Sequence, residues 1–325
     1  MSGLSERDTS AAREAGNARA GRRVFAIVVT LNPEPDVFAA LLDATCAQVD
    51  ATLVIDNGST HECVAHIERA CAQRAALHRM SVNLGIAAAQ NKGIALARER
   101  GATDVLLLDH DSVPEAGMVM ALADAARQLR GSGWVLGAVG PAIVDRKSRT
   151  AAPVPVVTGG RVRFVGAMGE APVRCEYLIA SGMLIALEAF DATGPMNKAY
   201  FVDQVDVEWC LRAGAAGRAI FCVPQARLEH AIGDDVVSFW LFGRRELPVH
   251  SPARDYFYFR NSVRLMRSPY VSPAWRRFWA RRLVRLFVVQ TLFAPPRLLR
   301  LRAMLSGAWT GLTERNGTRA VSATS

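Results

Sequence analysis

Asp104-Val-Leu-Leu-Leu-Asp109-His110-Asp111-Ser112 carries an uninterrupted apolar run into two carboxylates set two residues apart. A strand that meets water on one face alternates apolar and polar residues. A run without alternation belongs to a strand covered on both faces, as in a parallel sheet. Two earlier stretches have the same form: Val24-Phe-Ala-Ile-Val-Val-Thr30 leads into Leu31-Asn32-Pro33, and Ala51-Thr-Leu-Val-Ile55 leads into Asp56-Asn57-Gly58-Ser59. Helical patterns at about 36–48, 60–77 and 86–100 separate these runs. Such alternation predicts an α/β fold with a doubly wound, mostly parallel sheet flanked by helices. Ligands of such sheets bind beyond the carboxyl ends of the strands. Thr30, Asn32, Asp56, Asp109 and Asp111 therefore share one rim.

Further along, residues 131–175 read as strands and loops, and Glu176–Leu187 as a strand interrupted at Ser181-Gly182. Asp203–Gly217 reads as a helix, and Arg218–Val223 as a strand that Pro224 ends. With 325 residues, half of them hydrophobic, the chain buries a substantial core, which excludes wholesale disorder. No run reaches the roughly 20 apolar residues of a spanning helix. Six cysteines without metal or disulfide spacing, and a start lacking an apolar stretch, point to the reduced cytoplasm. The sequence divides into an N-terminal segment over 1–22, an α/β unit over 23–243 (halves 23–112 and 113–243), a basic helical segment over 244–315 and a tail over 316–325. Disorder is expected in the first and the last.

The net charge of +9 is unevenly placed. Residues 240–325 hold 16 Arg, no Lys and 3 acids, a balance of +13, and the rest of the chain carries −4. Trp275 to Phe293 mixes Trp, Phe, Leu and Arg at near-helical spacing. Arg276, Arg277, Arg281 and Arg285 lie together there, while Trp275, Phe278, Trp279 and Leu283 take other faces. A helix lying among lipid headgroups has this texture, as does a packed helix with an Arg-rich outer side. The expectation is peripheral contact with an anionic membrane surface. No nucleic-acid-binding pattern is present.

Of the residues that bear chemistry, Asp109 and Asp111 are placed to divide a ligand between them, one on a ribose hydroxyl and one on a divalent cation bridging a diphosphate. The alternative is a turn in which Ser112-Val-Pro-Glu115 forms a capping box. Asp56 suits the imide N–H of a pyrimidine ring, and Asp56-Asn57-Gly58-Ser59 equally suits a tight turn. Asn83-Leu-Gly85 enters a helix, with Gly85 allowing close backbone approach to a phosphate or base, and Gly93 reads as helix-to-sheet packing. Among the acids of Asp203-Gln-Val-Asp206-Val-Glu208-Trp-Cys-Leu-Arg212, Asp203 suits an N-cap and Glu208 a pair with Arg212. Asp206 has no such assignment and is the candidate general base. His230, considered alone, is more often structural than a ligand.

Taken in order, these pieces resemble the family 2 inverting glycosyltransferases of the GT-A fold, a Rossmann-like architecture, and within them the bacterial rhamnosyltransferases. The matching residues are Val28-Val-Thr-Leu-Asn-Pro33, Ile55-Asp-Asn-Gly-Ser59, Asn83-Leu-Gly-Ile-Ala, Asp109-His-Asp-Ser112, Ser181-Gly182, Phe201 to Arg212, His230-Ala-Ile-Gly-Asp234 and Ser251-Pro-Ala-Arg254 with Tyr258-Phe-Arg260-Asn261. The resemblance implies a nucleotide pocket from Thr30, Asn32 and Asp56, with Asn83, Gly85, Ser181 and Gly182 around the donor. It implies a metal and ribose site at Asp109 and Asp111 that His230 assists, holding Mg2+ or Mn2+. Asp206 aligns with the catalytic Asp of the family's Glu-Asp pair. Val205 replaces the Glu, so that Asp203 becomes a candidate to share the role, and His110 stands where the rhamnosyl subgroup commonly has Gln. The implied reaction is a single inverting displacement from dTDP-L-rhamnose to a cell-surface or exopolysaccharide glycan. The acceptor would ride a lipid carrier at the cytoplasmic face of the inner membrane. A UDP-hexose donor is the alternative within the class. Outside it stand a sugar nucleotidyltransferase, whose Gly-rich basic loop Leu31-Asn-Pro-Glu-Pro35 does not supply, and a membrane-bound scaffold with a degenerate site.

Overall fold

The computed structural model describes residues 21–145, 150–167, 169–230, 236–240, 244–248 and 251–314. Residues 1–20 and 316–325 of the expected disordered ends lie outside them. The first third alternates as the apolar runs require: β1 (Val24–Thr30), α1 (Pro35–Cys46), β2 (Ala51–Asp56), α2 (His61–Cys71), β3 (Ala76–Arg79), α3 (Ile86–Glu99) and β4 (Asp104–Asp109). The helix expected over 60–77 stops at Cys71, because Gln73 turns the chain through a left-handed conformation (φ 62°) into β3. Next come β5 (Ser112–Pro114), α4 (Met118–Gly131), β6 (Leu136–Asp145), β7 (Val154–Thr158), β8 (Arg161–Val165), β9 (Val173–Cys175), β10 (Met183–Ala186) and α5 (Leu187–Thr193). A 3-10 turn at Lys198–Tyr200 leads to α6 (Val205–Ala215), β11 (Ala219–His230), the hairpin β12 (Val236–Trp240) and β13 (Arg244–Pro248), and three helices, α7 (Pro252–Arg267), α8 (Pro273–Phe293) and α9 (Arg297–Thr313).

The central sheet has nine strands in the order β3-β2-β1-β4-β10-β6-β11-β5, with β9 also paired to β11. From β3 to β4 it is parallel throughout; β10 then runs antiparallel to both β4 and β6, and β11 is parallel to β6. Alternate residues of β1 feed separate cores, which explains its unbroken apolar run. Phe25, Ile27 and Val29 pack with Ile94 and Ala97 of α3 and Trp209 of α6. Ala26 and Val28 pack with Phe38, Leu41 and Leu42 of α1, Ile67 of α2 and Leu122 of α4. Gly93 is needed where α3 crosses β1, since a Cβ there would lie 2.3 Å from Ile27 Cγ2.

Three sequence expectations are corrected. Pro224 does not end its strand: a register shift between Val223 and Arg227 absorbs the missing donor, and β11 runs on to His230. Ser112 does not cap a helix, because Ser112–Pro114 pairs with Leu228–His230 and α4 begins only after Gly117 (φ 80°). Residues 176–187 do not form one strand: only Met183–Ala186 does, and Leu187 opens a helix. Of the two textures that fit α8, a helix among lipid headgroups and a packed helix with an Arg-rich outer side, Trp275, Trp279 and Leu283 follow the second. They are 1%, 3% and 8% exposed, and the two Trp side chains pack with Val207 and Leu211 of α6. Both α7 and α8 start with a Ser-Pro pair, the Ser hydroxyl accepting a first-turn N–H and Pro occupying the position that lacks a partner in any case.

Candidate active site

The rim predicted at the carboxyl ends of β1, β2 and β4 is assembled by their register, which sets Thr30 beside Asp56 and Val29 beside Asp109. Thr30 is fully buried, and its Oγ1 has no hydrogen-bond partner, an orphan hydroxyl at the strand end where a ligand is expected. Asp56 is also buried and accepts the Ser59 N–H at Oδ1 (3.1 Å). Asn32 (φ 47°) closes the same loop: its N–H donates to Ser59 Oγ (2.8 Å), and its Oδ1 accepts the Thr60 N–H (2.8 Å). The tight turn read from Asp56-Asn-Gly-Ser is formed, and it leaves the Asp56 carboxylate at the strand end beside Thr30.

The next loop is locked to the first. Asn57 Nδ2 donates to Asn83 Oδ1 (3.0 Å), Asn57 Oδ1 accepts the Leu84 N–H (3.1 Å), and the Gly85 N–H donates to Asn83 Oδ1 (2.9 Å). Gly85 (φ 85°) makes the close approach expected of it, but to protein: a Cβ would lie 2.5 Å from Phe201 O, and the Ile86 N–H donates to that same oxygen (2.7 Å). Asn57, which the sequence reading assigned no separate role, is therefore the residue that joins the two loops.

A tripeptide ties the acidic residues together. The Asp109 N–H donates to the fully buried Ser181 Oγ (3.2 Å), and the Gly182 N–H to Leu107 O (2.7 Å). The Ala180 N–H donates to Asp206 Oδ2 (3.0 Å), while Asp206 Oδ1 accepts the Val207 N–H (2.8 Å) at the start of α6. Ala180-Ser181-Gly182 thus fixes the end of β4 against the first turn of α6. Gly182 (φ 85°) is confined there by Pro141, whose Cγ would lie 2.5 Å from an added Cβ.

The electrostatics follow from crowding. Burial raises the Asp109 carboxyl to about 7; the charges of Asp111 and Asp206 add to the rise, and Arg254 opposes it. Burial also raises Asp206, partly offset by the N–H groups of Val207 and Ala180. Asp203 is not an N-cap. It adopts φ 59°, Gln204 precedes the helix, and the Asp203 carboxylate holds Arg254 through Nε (3.2 Å) and Nη2 (3.1 Å). Glu208 pairs with Arg212 as its spacing predicted (2.8 Å) and also accepts Tyr270 OH (2.6 Å). The main chain of His230 pairs with Ser112, next to Asp111. Its side chain lies outside the described residues, as do residues 231–234. Among the described residues no group of three or more His, Cys, Asp or Glu side chains is placed to hold a metal.

Sequence reasoning placed Arg260-Asn261 among the matching residues but gave them no part in supporting Asp206. Phe201, Asp203 and Gln204 all have positive φ, and a turn so strained needs outside support. Arg260 Nη2 donates to Ala199 O (2.8 Å) and Tyr200 O (3.0 Å), and Asn261 Nδ2 lies 2.6–3.0 Å from the carbonyls of Tyr200, Val202 and Asp203. Phe257 stacks on Phe201 at 5.0 Å. The available signal was a polar pair, Arg260-Asn261, inside an otherwise amphipathic helix.

Residues 25–153 match the family model for glycosyl transferase family 2. The dTDP-rhamnosyl transferase RfbF of Shigella flexneri is 30% identical over 255 residues, which cover 76% of this chain and 81% of that protein. S. aureus TarS 1–349 in complex with UDP-GlcNAc superposes with a TM-score of 0.54 at 14% identity, covering 88% of this chain and 79% of that one. GalNAc-T7 with UDP, GalNAc and Mn2+ gives 0.53 at 12% identity, covering 84% of this chain, which spans 58% of that protein. At these identities the two structures bear on the fold alone, and they are consistent with the sheet described above. The sequence relationship goes further: the chain belongs to glycosyl transferase family 2.

Proposed function

We propose that this nucleotide-sugar glycosyltransferase moves L-rhamnose from dTDP-L-rhamnose to a cell-surface or exopolysaccharide glycan, with inversion at the anomeric carbon. The observation that carries the mechanism is the tripeptide Ala180-Ser181-Gly182, which binds the Asp206 carboxylate on one side and the Asp109 main chain on the other. A proton acceptor and the donor-binding rim are thereby held as one rigid unit. The donor assignment is supported by the relative, a dTDP-rhamnosyl transferase.

In this mechanism Asp56, Thr30 and Asn32 bind the base and Asn83 and Gly85 shape the wall beside it. Asp109 takes the ribose. Asp206 removes the proton from the acceptor hydroxyl as that oxygen attacks the anomeric carbon and the nucleoside diphosphate departs. A raised carboxyl suits the role, because its conjugate base is a stronger proton acceptor. Asp203, already paired with Arg254, orients the turn. Asp109 and Asp111 would hold Mg2+ or Mn2+, since crowded carboxylates are relieved by a hard cation, and His230 would be the further ligand. When bound, the metal neutralises charge on the departing diphosphate. The catalytic unit spans 23–243 with halves at 23–112 and 113–243, and the basic segment 244–315 places it on the anionic cytoplasmic face of the inner membrane, where a lipid-linked acceptor is presented.

The test is incubation of the purified protein with dTDP-L-rhamnose or a panel of UDP-hexoses, Mg2+ or Mn2+, and a membrane extract. Labelled product from dTDP-L-rhamnose with inverted anomeric configuration is expected. Turnover of a UDP-sugar alone would replace the donor assignment.

A further inference from the structure

The helices α8 and α9 each have two faces of different character. Inward, Leu283 of α8 and Met304 of α9 pack on Phe259 and Val263 of α7. Outward, Val284, Val288 and Leu292 of α8 are 65%, 47% and 55% exposed, and Leu298, Leu305 and Trp309 of α9 are 73%, 54% and 69% exposed. At about 100° per residue, each outward set falls within an arc of roughly 100°, opposite the buried residues of its own helix. A helix that met water on this side would carry polar residues there. Here the charged members of the stripes are all cations: Arg281 and Arg285 line one shallow depression with Val284 and Val288, and Arg297 and Arg302 line another with Leu298 and Leu299.

The charge is one-sided. Between Pro273 and Thr313 the sequence has eight Arg and no Asp, Glu or Lys. The inner arginines are engaged: Arg300 with Asp255, Arg282 with Tyr258 OH, and Arg276 with main-chain carbonyls. Arg281, Arg285 and Arg302 have no acidic partner among the described residues. No helix among the described residues is long and apolar enough to cross a membrane. Exposed apolar stripes with interleaved, unneutralised arginines match the surface of an anionic bilayer, which takes apolar side chains below its headgroups and cations among them.

We propose that the outward stripes of α8 and α9, and not the Trp275/Trp279 face, form one docking surface for an anionic lipid bilayer. The inner face of α8 packs on Val207 and Leu211 of α6, so the helix that carries Asp206 is fixed to the element that meets the lipid. The proposal rests on the glycosyltransferase reading and names the partner of its basic segment. Acceptors held at the bilayer surface are the class this geometry favours.

The experiment uses the full chain and sucrose-loaded vesicles of phosphatidylglycerol with phosphatidylethanolamine, against vesicles of phosphatidylcholine. Wild type is expected to sediment with the anionic vesicles and not the neutral ones. Val288→Glu with Leu305→Glu should weaken sedimentation at least tenfold, and Arg281→Gln with Arg285→Gln and Arg302→Gln should reduce it and flatten its salt dependence. Met120→Glu, on the exposed side of α4, should change nothing. Wild type that stays in solution, or a Val288/Leu305 variant that sediments like wild type, would overturn the proposal. So would a wild-type dimer that the variant dissolves, which would assign the face to a second copy, or wild-type binding to duplex DNA without vesicle binding. Calorimetry of dTDP binding on the same preparations separates the two readings. Intact dTDP binding without vesicle binding refutes only the surface, and vesicle binding without dTDP binding refutes only the donor site.

Discussion

Asp206 and Asp203 are three residues apart, yet the structure gives them different work. Asp206 is held by two main-chain N–H groups and raised by burial, whereas Asp203 is committed to Arg254. Asp206→Asn keeps one acceptor oxygen and sets an amide donor against the second main-chain N–H, at a cost of about 1–3 kcal/mol; the fold and nucleotide binding are expected to survive that cost, while the proposed proton acceptor is lost. Transfer is expected to fall at least ~1000-fold, the upper part of the usual general-base contribution, with dTDP affinity within threefold by calorimetry. Unchanged turnover would refute the base assignment. Asp109 gives a stability prediction with a definite sign. Its native carboxyl is raised to about 7 against an ordinary value near 4 in the unfolded chain. The native state therefore binds the extra proton between those values, and its stability falls as pH rises from about 4 to about 7, then levels off. Asp109→Asn removes the penalty. In metal-free buffer at pH 8 it should be more stable than wild type by up to about 4 kcal/mol, read as a higher Tm, with no difference near pH 4. A lower Tm at pH 8 would show the carboxylate to be compensated.

At the scale of elements, the parallel half was legible because one physical rule controls it: strands buried on both faces must be apolar throughout, and their polar ends mark the ligand rim. Thr30, Asp56 and Asp109 were placed by that rule alone. The second half obeys longer-range constraints. Ser112 looked like a helix cap because its spacing to Glu115 is right, but β11 supplies a pairing partner that no local pattern reveals. Pro224 looked like a terminator because a bulge cannot be read from the strand that contains it. The support given by α7 was hidden for the same reason, since its partners lie about 60 residues upstream. Asn261 is fully buried against the carbonyls of the turn before α6. Asn261→Ala would leave buried acceptors unpaired, at a cost of about 2–3 kcal/mol, and would loosen Asp206. The expected result is a kcat reduced more than tenfold with an unchanged Kd for dTDP, the mark of a positioning residue. Equal losses in both would show that the turn serves nucleotide binding instead.

For the whole molecule, the charge asymmetry visible in the sequence sets the C-terminal quarter apart, but it does not say which face of α8 is core. Trp275 and Trp279 looked like lipid anchors by residue type, and they are core. Their rings fill the seam between α8 and α6, next to Leu265 and Val271. The C-terminal helices therefore belong to the catalytic body as much as to its surface, and deletion and surface substitution must have different consequences. Removing residues 270–325 takes away both buried Trp side chains and uncovers Val207 and Leu211 on the helix that carries Asp206. Each lost Trp corresponds to about 3–5 kcal/mol, enough together to consume most of the stability of an ordinary domain. The truncated chain is expected to aggregate, or to lose more than 10 °C in Tm with transfer abolished even toward a water-soluble acceptor. Glutamate substitutions on the outward stripes should leave Tm and that transfer intact. A truncated protein that folds, binds dTDP and turns over a soluble acceptor like wild type would show that the helical segment is an appendage and that the seam carries no structural load.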